Sequence, residues 1–166
     1  MEIKKNTLAG KNKVNLLPII LIFYFVSINN TFSQNKTWKA QWITSFEQQN
    51  ETNNWTPYQK SFQLNDVPNE ALAKIACDSK YWMWINGEMA VFEGQLKRGP
   101  SPDDTYYDEV DIAPFLKQGK NFISILVWYF GKDGFSHNSS GKAALIFDCQ
   151  TQGFDLLSDL TWKASI

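Results

Sequence analysis

Residues 81–92, YWMWINGEMAVF, decide the fold class. Tyr81, Met83 and Ile85 alternate with Trp82 and Trp84, a period of two that suits a strand with one face inward and one outward. Asn86-Gly87 then separates two apolar runs. Both central residues of a type I′ turn need positive φ, so Asn-Gly at this place predicts a tight hairpin into a second strand over 88–92.

The same period recurs on either side. WKAQWI (38–43), YQKSFQL (58–64), AKIAC (73–77), NFISILVWYF (121–130) and AALIFDC (143–149) are short and rich in aromatic and β-branched residues. Asn, Asp, Gly or Pro bound them, as expected of strands. Residues 45–56 read as a polar loop, and 131–141 as a glycine-rich one. The only helical signal is one turn in DIAPFLKQG (111–119), with Asp111 to cap it and Gly119 to stop it. Short strands at this spacing predict an all-β fold, a β-sandwich or a jelly roll. LSDLTWKASI (157–166) is strand-like, and the chain is expected to stop in mid-architecture.

The 166 residues suffice for one domain, and seven Trp, six Tyr and 12 Phe argue for a packed core over disorder. A net charge of −1 offers no footprint for nucleic acid. One His and two Cys exclude the usual zinc sites. Lys4, Lys5, Lys11 and Lys13 precede the uncharged run LLPIILIFYFV (16–26). That run is too short to span a bilayer and matches a signal-peptide core, with Thr31 and Ser33 placed for cleavage after Ser33. Residues 1–33 are therefore expected to be a leader and 34–166 the domain, exported to the periplasm or beyond, with no membrane partner once the leader is cut. The leader holds four of the 16 basic and one of the 17 acidic residues, which leaves the remainder at −4. Export permits a Cys77–Cys149 disulfide, while the apolar runs around both suit buried thiols equally.

Several phrases, taken in order, carry a family resemblance. They are Tyr81 to Gly87, Arg98-Gly99-Pro100, Tyr106 to Leu116, Gly119-Lys120-Asn121, Val127 to Gly131, and Ser158 to Lys163. Together they resemble the N-terminal galactose-binding-like β-sandwich module of bacterial α-L-rhamnosidases, over about residues 38–166. More distantly, the Asp-Ile-x-x-x-Leu-x-x-Gly-x-Asn phrase is similar to the sugar-binding domain of β-galactosidases. The resemblance implies a galactose-binding-like jelly roll that is not an enzyme by itself, because the hydrolytic acids of such enzymes lie in a separate helical barrel. It also implies a secreted protein of complex or plant polysaccharide breakdown, with carbohydrate or an adjacent catalytic domain as partner. A stand-alone lectin-like protein and a truncated remnant with only an interdomain face are the alternatives.

Strand parity supplies the candidate contact surface. If Met83, Ile125 and Val127 point inward, Trp82, Trp84 and Trp128 point outward, and such an apolar patch marks an interaction surface. Arg98 and Tyr106, on one loop, have side chains suited to sugar hydroxyls or to tying that loop down. His137 lies in GKDGFSHNSSG (131–141) and is expected at the surface, near Ser136, Ser139 and Ser140 but without the elbow of a nucleophilic serine. No catalytic residue and no obligatory cofactor is assigned. The acidic cluster Asp103, Asp104 and Asp108, with Glu109 and Asp111 beside it, is read as caps and turn residues, with structural Ca²⁺ as the alternative.

Overall fold

The computed structural model describes residues 38–45, 51–96, 106–135 and 137–164. The proposed leader, Arg98, Asp103, Asp104 and Ser136 lie outside the described residues.

The domain is a sandwich of two antiparallel sheets. In chain order the strands are β1 (Asn54–Leu64), β2 (Leu72–Cys77), β3 (Lys80–Ile85), β4 (Glu88–Gln95), β5 (Asp108–Asp111), β6 (Gly119–Tyr129), β7 (Leu145–Gln150), β8 (Asp155–Leu157) and β9 (Lys163–Ala164). One sheet runs β4-β3-β6-β1-β9 and the other β5-β2-β7-β8. Tyr81, Met83, Ile85, Ile123, Ile125 and Val127 from the first sheet meet Ala73, Ile75, Cys77, Leu145, Phe147 and Cys149 from the second in one core. The hairpin forms as its residues predict, with Asn86 and Gly87 at φ 52° and 89°.

The recurring phrases prove to be docking pieces. The Asn86 side chain donates to Phe115 O (2.9 Å) and to Asn121 Oδ1 (2.8 Å), and its own oxygen accepts from Phe122 N. Asn121 is fully buried and donates to Lys117 O and Gly119 O. The Asn-Gly turn and the Gly-x-Asn phrase thus satisfy each other's buried polar groups, the condition for burying an amide without a large penalty. The helical turn is a single 3-10 turn, Ala113–Phe115, and Asp111 Oδ1 holds both Ala113 N and Ala71 N. Ser158 accepts Phe147 N and donates to Gln41 O, while Trp162 is buried against Phe147.

Three strand expectations are corrected. Residues 38–43 form no strand. Lys39 N and Ala40 N bond the Asp148 carboxylate, and only Ile43 bridges to Leu145, so the segment lies across the second sheet. Residues 54–56 are not loop but the start of β1, because their backbone pairs with 127–129 of β6. The acidic stretch Asp108–Asp111 is a strand despite its charge, since β2 provides a full ladder. The two cysteines are buried thiols, not a bridge. Cys77 pairs in register with Leu145 and Cys149 with Ala73, four residues apart along the ladder or about 13 Å. Burial pushes the Cys77 thiol well above its ordinary pKa, and the Asp78 and Asp108 carboxylates push it further.

Buried tyrosines add a pH dependence. Burial raises Tyr58 to about 12, and raises Tyr81 further, helped by the Asp108 carboxylate. Each folded pKa exceeds the unfolded value near 10, so their stability is complete below that pH and falls above it. Between about pH 10 and 12 each tyrosine should remove about 1.4 kcal/mol per pH unit. Tyrosinate absorbance and loss of near-ultraviolet circular dichroism should therefore rise together. Ionisation of all tyrosines with the fold intact would contradict this.

Candidate functional site

Alternation along β1, β3 and β6 turns one set of side chains out of the five-stranded sheet. The register aligns Lys80, Trp128 and Trp55 across three strands, then Trp82, Leu126 and Pro57, then Trp84, Ser124 and Gln59. The outward parity of Trp82, Trp84 and Trp128 holds, with all three half-buried. Trp55, placed in a loop by the sequence, completes the patch. It stacks on Trp128 (centroids 4.7 Å, 11° between planes) and on Trp82 (5.4 Å, 27°). Its missed signal was the alternation of Asn54, Thr56 and Tyr58, all buried, with exposed or half-buried Trp55 and Pro57.

The stack is held in place. Trp128 donates its indole N–H to Asn53 Oδ1 (2.9 Å), and Phe130 meets its ring edge-on at 4.5 Å. Trp84 stands two residues along β3, opposite Met89 of β4, and Phe92 and Phe122 are exposed on β4 and β6. An apolar face of this extent marks a contact surface.

His137 is not at the surface, where the sequence places it. It is 5% exposed, with Nε2 2.9 Å from Asp78 Oδ1 and 3.2 Å from Ser79 Oγ. Asp78 was not foreseen. Its second oxygen accepts from Ser139 Oγ, Ser140 Oγ and Ser140 N, and Ser79 Oγ donates to its first. Ser79 Oγ in turn accepts Phe130 N. The grouping contains Ser, His and Asp but is not a nucleophilic relay. Aspartate and serine share one imidazole nitrogen, whereas a relay needs them on opposite nitrogens. Ser79 is also fully buried. The cluster instead pins the 131–141 loop to the β2–β3 turn.

Tyr106 is exposed, and its carbonyl accepts Gln95 Nε2. Asp108, the described member of the proposed calcium set, accepts Tyr81 Oη (3.2 Å) and Gln95 N (2.6 Å). Among the described residues no group of three or more His, Cys, Asp or Glu is placed to hold a metal ion. Nor is any helix among them long and apolar enough to cross a membrane.

The domain is a two-sheet β-sandwich with an aromatic outer face, a fold it shares with modules of glycoside hydrolases and with a lectin. Its structural neighbours include α-L-rhamnosidases. A family GH78 rhamnosidase of Bacillus sp. GL1 matches 78% of this chain at 30% identity and a TM-score of 0.69. The α-L-rhamnosidase of Dictyoglomus thermophilum matches 79% at 22% identity, TM-score 0.60. A Pleurotus ostreatus lectin, solved in complex with GalNAc, shares the fold over 75% of the chain at 15% identity, TM-score 0.50. The chain spans only 14% and 17% of the two rhamnosidases and 35% of the lectin. No family model matches the sequence, and no curated protein does.

Proposed function

We propose that the domain is a non-catalytic accessory module of a secreted α-L-rhamnosidase-like glycoside hydrolase acting in plant or complex polysaccharide degradation. It contacts carbohydrate and supports a neighbouring catalytic domain, and the leader over 1–33 directs its export. The observation that carries this reading is the match to the Bacillus rhamnosidase at 30% identity over a small fraction of that enzyme.

The carboxylates support it. Glycoside hydrolysis needs two carboxyl groups facing one bond across a pocket, about 5–9 Å apart. The buried acids here are engaged by the protein itself. Asp78 is enclosed by the His137 cluster, and Asp148 accepts Lys39 N, Ala40 N and Gln150 Nε2. The Trp55–Trp82–Trp128 stack suits the supporting role, because much of its indole face area is taken up by neighbouring rings. What it offers outward is an apolar surface for another domain, where Trp is commonly enriched.

The purified protein is expected to release no nitrophenol from nitrophenyl α-L-rhamnoside, yet to be retarded in gels containing a rhamnose-bearing polysaccharide. Turnover by the pure protein would refute the non-catalytic assignment. Unretarded migration would remove the carbohydrate role and leave only domain support.

A further inference from the structure

The second aromatic surface lies on the opposite sheet. Segment 38–43 crosses the outer face of β2 and β7 and leaves a groove of about 350 Å³ between Trp38, Ala40, Trp42, Ala76, Tyr107 and Ile146. That volume is at the small end of ligand sites, which run from about 300 Å³ upward. Its floor is alanine and isoleucine, and its walls are rings. Trp38 and Tyr107 meet at 89° with centroids 5.6 Å apart, and Trp42 is half exposed.

We infer that this groove is a binding subsite for one neutral pyranose ring, a reading that rests on the proposed accessory role and places its sugar contact. Aromatic faces carry partial negative charge, and the axial C–H bonds of a pyranose are weakly positive, so ring and sugar stack. Perpendicular rings offer a face to the sugar's flat side and an edge to its rim. Indole N–H and phenol O–H groups among the same residues can donate to its hydroxyls. The Trp55–Trp82–Trp128 stack lacks this geometry, since its rings lie against one another.

Charge selects a neutral ligand. Lys74 Nζ sits 5.8 Å and 5.6 Å from the Trp38 and Tyr107 centroids, the one cation over these rings among the described residues. In the ladder Lys74 lies between Glu109 and Asp148, so its charge is balanced and a uronate gains little. The Asp148 carboxylate that holds Lys39 N and Ala40 N also fixes the wall, so the groove is formed before any ligand arrives.

The test uses the protein labelled with 5-fluorotryptophan and titrated with the methyl glycosides of rhamnose, galactose, glucose and mannose, and with methyl glucuronide. A neutral glycoside should shift the ¹⁹F resonances of Trp38 and Trp42 and leave those of Trp55, Trp82 and Trp128 in place. Trp42→Ala should weaken binding by roughly tenfold or more at unchanged melting temperature, and Trp42→Phe should restore most of it. Shifts confined to Trp82 and Trp128, or tighter binding of the glucuronide, would overturn this assignment while the accessory function stands. If no glycoside shifts any tryptophan while polysaccharide still retards the protein, the pyranose groove is wrong. If polysaccharide fails as well, the carbohydrate role falls with it.

Discussion

Replacing Asp78 with alanine should lower stability by about 3–5 kcal/mol, the range for breaking a buried charged network by removing one partner. The carboxylate accepts hydrogen bonds from Ser79, Ser139 and Ser140 and pairs with His137. Its loss leaves the buried imidazole and the buried Ser79 hydroxyl without their acceptor, along with the more exposed Ser139 and Ser140 donors, and each buried orphaned group costs its desolvation. At this size the melting temperature should fall by on the order of 10–20 °C. Phe130 N bonds Ser79 Oγ and the Phe130 ring abuts Trp128, so the loss should reach the indole stack. Tryptophan emission should therefore shift at temperatures well below global unfolding. His137→Ala should cost less, since the serine donors keep their acceptor. A melting temperature within 2–3 °C of wild type for Asp78→Ala, roughly what a surface change produces, would show that the cluster is not a structural anchor.

Gly94→Ala should be nearly as damaging, by a steric route. A Cβ at Gly94 would overlap ring carbons of Tyr81 and come within 2.7 Å of its hydroxyl oxygen. Tyr81 has no room to retreat, being fully buried with its hydroxyl bonded to Asp108. Gly94 itself is not in the left-handed region, so alanine meets no backbone penalty and the clash acts alone. Overpacking of this kind costs about 1–3 kcal/mol or more. The check is a double-mutant cycle with Tyr81→Leu, in which the Gly94→Ala cost should largely vanish. Equal costs in both backgrounds would mean that the contact is not the cause.

The strands around 81–92 and 121–130 were legible because alternation is a local property, and the Asn-Gly turn because positive φ is a property of two residues. The same alternation made Trp82, Trp84 and Trp128 outward-facing before any strand was paired. His137 was misplaced because a histidine among Gly, Ser and Asn looks solvated. Only the approach of Asp78, 59 residues earlier, makes its burial tolerable. Segment 38–43 was misread for a related reason. Its apolar residues have strand spacing, but the Asp148 carboxylate takes two of its backbone N–H groups before a ladder can form.

Sequence alone determined the class of fold, the parity of the aromatic strands and the ordered motifs that resemble rhamnosidase modules. The first two follow from nearest-neighbour backbone preferences and the two-residue repeat, and the third from likeness to a known family's phrases. Which rings touch was decided only in three dimensions. Trp55 joined Trp128 because β1 and β6 pair in one register, and Trp38 met Tyr107 because the N-terminal segment crosses the second sheet. Register and crossing depend on contacts between residues 69 to 73 positions apart, which no local pattern encodes.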